Sequence, residues 1–217
     1  LEFRRVLFRS GQLRWDVSTE QLTRTYEGIG VHHAIDVSPD RTLLAVGTRL
    51  YDLATGELLR EFPSDFWMND VTFSPDGRLL AVGGMRSGFD QDRIYTGVAE
   101  VWDIETGQRI LTVDQHTDEV QTVNFSPDSS SLLTASLDNM VMVWNLSKAT
   151  LQQTLPHDNE VIHAEFSADG AWILTSGPRI PTTLWDAQTG QAIRTFGVEN
   201  IAVRGASLSP DGRLVAT

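Results

Sequence analysis

The sequence predicts an all-β chain built from repeated four-stranded antiparallel blades, and three observations lead there. A turn phrase recurs five times: VSPD at Val37–Asp40, FSPDG at Phe73–Gly77, FSPD at Phe125–Asp128, FSADG at Phe166–Gly170 and LSPDG at Leu208–Gly212. A second phrase alternates with it: WDVST from Trp15, YDLATG from Tyr51, WDIETG from Trp102, WNLSK from Trp144 and WDAQTG from Trp185. Successive phrase serines (Ser38, Ser74, Ser126, Ser167, Ser209) lie 36, 52, 41 and 42 residues apart, bracketing the roughly 40–45 residues of a propeller blade. No strong helical period competes. The fold class is therefore a β-propeller fragment with four complete blades and two partial ones, either an open arc or a pseudo five-bladed closure.

Each element has a local reason. An apolar-flanked run such as VQTVNF precedes the SPDG turn and SLLTAS follows it, both strand-like. Within the turn, Pro presets φ while Asp and Gly supply its side-chain-bonded, positive-φ end. Strand c carries the Trp, the TG turn reverses the chain, and GQRILTV or GQAIRTF resumes as strand d. Successive hairpins alternate ends, so the SPDG and TG turns share one face. The b–c and d–a loops share the other. The blades are placed at 11–26 (partial), 27–63, 64–115, 116–156, 157–197 and 198–217 (partial).

Composition narrows the functions. The chain is 41% hydrophobic and 21% charged, with a formal charge of −12. No run approaches the roughly 20 apolar residues of a membrane helix. So acidic a surface repels phosphate backbones and anionic lipid, and no basic patch overrides it. Neither nucleic acid nor membrane is expected as a partner. The absence of cysteine excludes disulfides and thiolate metal sites and fits a reducing compartment, so the cytoplasm is the expected location. The opening LEFRRVLFRS fits no secretory signal, because Arg4, Arg5 and Arg9 interrupt every apolar run. It resembles one translated frame of a common sequencing adaptor, so 1–10 are expected to be non-native and the chain a metagenomic fragment cut at both ends.

On these phrases the sequence resembles the WD-repeat β-propeller family over 11–217. The resemblance implies a buried polar relay per blade: a d–a loop His, a strand b Ser or Thr, a b–c Asp and the strand c Trp. His116, Thr134, Asp138 and Trp144 match at every position, whereas His157, Thr175 and Trp185 match beside Arg179 where the Asp belongs. The Tyr51 and Trp102 blades show no matching His. The relay's logic is that a buried ring N–H without a partner costs roughly 1–3 kcal/mol. Trp15, Trp102, Trp144 and Trp185 are expected in the core, and Trp172 has no repeat counterpart.

Two blades break the period. The serine-to-aromatic distance is 18 residues in the Trp144 and Trp185 blades, but 13 for Ser38 to Tyr51 and 28 for Ser74 to Trp102. The long one carries the inserted MRSGFDQDRIYTGV, and insertions in repeat arrays collect on one face, often the binding face. SDFWMND lies at that same rim, with Trp67 at the position Glu119 holds in the His116 blade. Trp67, Asn69, Arg86, Phe89, Arg93, Tyr95 and Glu119 are thus candidate contacts for a protein partner, since interfaces concentrate energy in Trp, Tyr and Arg. The competing reading is that Phe66, Trp67 and Met68 simply fill blade packing.

Chemistry is the competing reading. Asp36, Thr72, Asn124, Glu165 and Ser207, each two residues before a phrase serine, are polar between apolar neighbours, with Asp70 and His163 two residues further back. They could be read as channel ligands of a metal-dependent hydrolase or lactonase. Small or polar channel lining is the simpler account. His32 and His33 are adjacent, so in a strand they face opposite sides and cannot share a metal. No GxSxG, HExxH, Walker or CxxC motif is present. The expectation is a non-catalytic interaction scaffold or sensing module, with no cofactor or metal and with a fused effector domain possible on flanking sequence.

Overall fold

The computed structural model describes residues 11–16, 21–27, 34–87, 95–197 and 203–217, with side chains described over 34–86, 96–197 and 203–217. Phe89, Arg93, His32, His33 and the decapeptide fall outside the described residues, as do the side chains of Trp15 and Tyr95. Every described element is a strand. Strands β1 (Gly11–Asp16) and β2 (Gln21–Glu27) pair as a hairpin. The first four-stranded sheet holds β3 (Ile35–Val37), β4 (Leu43–Val46), β5 (Arg49–Asp52) and β6 (Leu58–Glu61). The second holds β7 (Trp67–Phe73), β8 (Leu79–Ser87), β9 (Tyr95–Asp103) and β10 (Arg109–His116). The third holds β11 (Val120–Phe125), β12 (Ser131–Ser136), β13 (Met140–Asn145) and β14 (Thr150–Pro156). The fourth holds β15 (His163–Phe166), β16 (Trp172–Gly177), β17 (Ile180–Asp186) and β18 (Ala192–Phe196). Finally β19 (Ser207–Leu208) pairs β20 (Val215–Ala216).

All pairings are antiparallel between consecutive strands. The first and last hairpins remain separate two-stranded sheets and do not merge into a shared blade, so among the described residues the series is open.

The turns are made by the phrase residues. Ser38, Ser74, Ser126, Ser167 and Ser209 each donate Oγ–H to the Asp two residues on, at 2.5–2.6 Å. Each Oγ accepts at 2.9 Å from the N–H five residues on, the first residue of strand b or, at Leu214, the one before it. The seryl hydroxyl and a nearby backbone N–H hold the carboxyls of Asp40, Asp128, Asp169 and Asp211 below the ordinary range.

Cores lie between sheets because strand alternation sends neighbours to opposite faces. In β8, Leu80 and Val82 pack with Ala45, Leu50 and Phe62 of the first sheet and its exit, while Ala81 packs with Val120, Val123 and Phe125 of the third. In β12, Leu132 faces the second sheet's Leu111 and Val113, and Leu133 faces the fourth sheet's Ile173 and Trp185. Each four-stranded sheet from the second to the fourth thus has an apolar face that its predecessor covers. Trp102, Trp144 and Trp185 are buried in these layers. Trp172 lies against Gly212, the glycine of the following SPDG turn. Phe66 and Met68 are buried in the layer between the first two sheets, and Trp67 between them is exposed.

Candidate functional site

Three places hold the residues that could act: the relay positions, the inner strands and the rim of the second sheet. In the third sheet His116 Nδ1 stands 2.8 Å from Asp138 Oδ2, and Nε2 stands 2.8 Å from Thr134 Oγ1. Trp144 Nε1–H donates to the same hydroxyl at 3.1 Å. A consistent proton arrangement has Nδ1–H donating to the carboxylate and Nε2 accepting from the threonine. Burial pushes the Asp138 carboxyl up, but the His116 bond and the N–H groups of Thr117 and Met140 together bring it below its usual value.

The fourth sheet keeps half of this. His157 Nε2 lies 2.8 Å from Thr175 Oγ1, and Trp185 Nε1–H donates to that oxygen at 2.9 Å. With Arg179 at the Asp position, His157 Nδ1 turns to the Leu155 carbonyl, 3.0 Å away. Burial lowers the His157 pKa, against the opposing pull of that carbonyl and of Asp158.

The inner-strand polar residues turn toward the next sheet. Asp36 Oδ2 accepts from Phe73 N–H at 2.8 Å, Asn124 Oδ1 from Phe166 N–H at 3.0 Å, and Glu165 Oε1 from Leu208 N–H at 2.7 Å. Between the second and third sheets the acceptor is Asp70, whose Oδ2 takes Val123 N–H at 2.9 Å, while Thr72 Oγ1 stays on its own strand. These side chains therefore serve as clamps between successive blades. Burial pushes the Asp70 carboxyl up to about 6, against the lowering effect of the Val123 and Val71 N–H groups. His163 Nε2 has no hydrogen-bond partner and lies 3.8 Å from Glu165 Oε2, an electrostatic contact only. Among the described residues no three His, Cys, Asp or Glu side chains converge as metal ligands would.

At the rim, Trp67 opens β7 and is 52% exposed. It pairs with Met85, one residue before Arg86, whose Nε and Nη2 both donate to Asp65 Oδ1. The inserted segment lengthens the β8–β9 hairpin: Arg86 pairs with Thr96, and Ser87 with Tyr95. Arg86 and Tyr95 are thus strand residues. A register shift between Met68 and Asp70 accompanies a close approach in which a Cβ at Gly84 would lie 1.8 Å from the Trp67 carbonyl oxygen, so only glycine fits there. Asn69, at that shift, donates to the Val120 carbonyl at 3.0 Å, with Glu119 Oε2 3.5 Å away. Gln121 donates to the same Glu119 oxygen at 3.1 Å, so Asn69 and Glu119 are tied to each other across two sheets.

Sequence reasoning missed Glu100. It sits two residues before Trp102 on β9, is fully buried, and accepts from Ser64 Oγ–H and from Arg109 Nη1, both at 2.5 Å. A signal was present: a charged residue inside the apolar run VAEVW.

Comparison with known proteins follows this geometry. The family model for the WD domain, G-beta repeat, matches residues 56–92 and 107–145. Each match begins at the turn before strand d of one sheet and runs into the next sheet. The chain is 32% identical over 109 residues to WD repeat and SOCS box-containing protein 1 of Xenopus tropicalis, covering 47% of this chain and 26% of that protein. It is 30% identical over 118 residues to Autophagy-related protein 16 of Arabidopsis thaliana, covering 54% and 23%. Against the Serine-threonine kinase receptor-associated protein of Gallus gallus it is 28% identical over 119 residues, covering 54% and 33%. The aligned part spans about a quarter to a third of these relatives' length.

Proposed function

This chain carries WD40 repeats, and from that premise we propose that it acts as a protein-interaction scaffold or sensing module, binding its partner on the face formed by the d–a and b–c connections. The observation that carries the reading is Trp67. A residue that large is ordinarily drawn inside, and both its neighbours are. Holding it 52% exposed on a paired strand leaves a rigid aromatic surface ready for burial by another protein. Arg86 follows Met85, the residue that Trp67 pairs with, so the same end of the sheet also supplies an arginine, a residue type in which binding energy concentrates.

Three of the relatives support the scaffold role through their printed names: one is named for WD repeats and a SOCS box, one as autophagy-related and one as associated with a serine-threonine kinase receptor. In this reading the relay residues His116, Thr134, Asp138, Trp144, His157, Thr175 and Trp185 hold the blades, and the rim residues meet the partner. Asn69 and Glu119 act indirectly, by fixing the second sheet to the third. A cytoplasmic setting and an effector domain fused elsewhere in the polypeptide are consistent extensions.

The test is affinity capture with the full-length protein from its native lysate, wild type against Trp67→Ala. Truncating a central anchor is expected to cost about 2 kcal/mol, roughly a thirtyfold loss of affinity. Melting temperature should hold, because the side chain is not in the core. Equal recovery by both proteins would remove the rim from the binding surface.

A further inference from the structure

Counted from the SPDG serine, three sheets place comparable residues around their strand c tryptophan. The position ten before the serine is His116, His157 or Ser64, and the position eight after it is Thr134, Thr175 or Val82. In the third and fourth sheets the threonine hydroxyl accepts the indole N–H and the histidine ring covers it. The second sheet has lost both partners. Trp102 is 4% exposed, and its Nε1–H is buried without an acceptor. An orphaned donor of this kind is a standing cost to the fold unless something supplies an acceptor.

A cleft of about 640 Å³ opens against that tryptophan, lined by Pro63, Ser64, Asp65, Arg86, Trp102 and Arg109. Its volume is in the range of ordinary ligand sites. The Arg109 guanidinium carbon lies 5.4 Å from the Trp102 ring centroid, and one nitrogen of that group is held by Glu100. Fixed in this way, the remaining guanidinium N–H groups keep a defined plane. Among the described residues Arg86 is bound only to Asp65, in a pair whose acid is 75% exposed, and exposed pairs of this type are worth little. The lining therefore offers two guanidinium groups beside a buried indole whose own N–H is sealed from solvent. The two arginines are balanced by Glu100 and Asp65, so the site is locally neutral and tolerates one added negative charge better than two. The chain's net charge of −12 selects further against a multiply charged anion.

We propose that this cleft receives a single carboxylate, the side chain of an isolated Asp or Glu on an exposed segment of the bound protein. The carboxylate accepts from the Arg109 N–H groups that do not bond Glu100, Arg86 exchanges Asp65 for the incoming group, and the Trp102 ring beneath Arg109 reports the occupancy. Planar guanidinium groups favour carboxylates through paired charge-assisted hydrogen bonds. The proposal rests on the scaffold reading for the identity of the donor chain, but the site itself is testable with small probes.

The experiment follows the indole N–H signals of the full chain by proton–nitrogen correlation NMR. Six tryptophans give six such signals, and Trp102→Phe identifies the one that matters. Propionate is titrated as the probe, with propionamide as the neutral isostere and inorganic phosphate as the more highly charged anion. The expected result is a saturable shift of the Trp102 signal by propionate as Arg109 over its ring engages the ligand, at roughly millimolar affinity for so small a ligand. Propionamide and phosphate should each bind at least fivefold more weakly. Asp65→Asn, an exposed change that frees Arg86 without disturbing the buried Glu100, should tighten propionate binding about twofold or more. No saturable shift, or equal or tighter binding of propionamide or phosphate, overturns the carboxylate assignment. A flat titration alongside lost capture by Trp67→Ala would sink the cleft and spare the scaffold. A clear titration alongside unchanged capture would do the reverse.

Discussion

The second and third sheets are neighbours with the same strand order, the same SPDG turn and the same buried strand c tryptophan, yet they satisfy that tryptophan differently. In the third sheet, loop, strands b and c and the b–c turn are joined by one continuous hydrogen-bond chain from Asp138 through His116 and Thr134 to Trp144. In the second, the chain is cut. Ser64 and Val82 replace the histidine and threonine, and a buried Glu100 with Arg109 takes over the anchoring of the d–a connection. The indole is then packed by Phe62, 5.5 Å between ring centroids, and by Arg109, with its N–H unused. Where the fold needs only stability, the polar relay is closed. Where the rim carries an exposed Trp67 and a lengthened hairpin, the same position holds unspent hydrogen-bonding capacity.

The comparison can be broken most directly in the third sheet. Thr134→Val gives it the strand b residue of the second and strands both the Trp144 N–H and a His116 ring nitrogen. Two orphaned groups should cost about 2–4 kcal/mol in denaturant unfolding. A loss below about 0.5 kcal/mol would mean that the relay contributes nothing and that the two sheets are equivalent.

The joint between the two sheets is next. Asp70 supplies it, and its carboxyl is raised to about 6. A carboxyl raised above its unfolded value near 3.8 stabilises the fold when protonated, and that contribution is lost as pH climbs through about 6. Wild type should therefore gain on Asp70→Asn by on the order of 2–3 kcal/mol as pH falls from 7.5 to 4. A pH-independent difference between the two melting curves would show that Asp70 titrates normally.

The reverse repair is smaller. Val82→Thr returns an acceptor to Trp102 and should stabilise by about 1 kcal/mol, the net worth of one hydrogen bond. The least effect belongs to the TG turns: Gly107 has φ +74°, and its counterpart Ala149 is held at φ +51°. Ala149→Gly should relieve about 0.5–1 kcal/mol of left-handed strain, read as a small rise in melting temperature.

Much of this was legible beforehand where cause and effect are close in sequence. The SPDG turn closes its hydrogen bonds within five residues, so the phrase alone announces the hairpin. The run SLLTAS reads as a strand from its composition, though its burial on both faces does not. Trp67 could be placed at the rim by counting from Ser74. What could not be read is how distant side chains meet. Asp36, Asn124 and Glu165 looked like channel lining or ligands, and their oxygens in fact accept N–H groups 37 to 43 residues away. Glu100 was hidden because a buried acid is tolerable only beside the Ser64 hydroxyl and Arg109, 36 and 9 residues off.

The sequence by itself determined the all-β class, the four-stranded module, its turns and its buried tryptophans, because each follows from residue type and spacing within one module. Only the tertiary structure decided that the acids clamp neighbouring sheets, that the end hairpins stay apart, and that Trp102 faces an open cleft. Those outcomes depend on which groups from separate modules share a volume from which water is excluded, where every unpaired donor must find an acceptor or remain a cost.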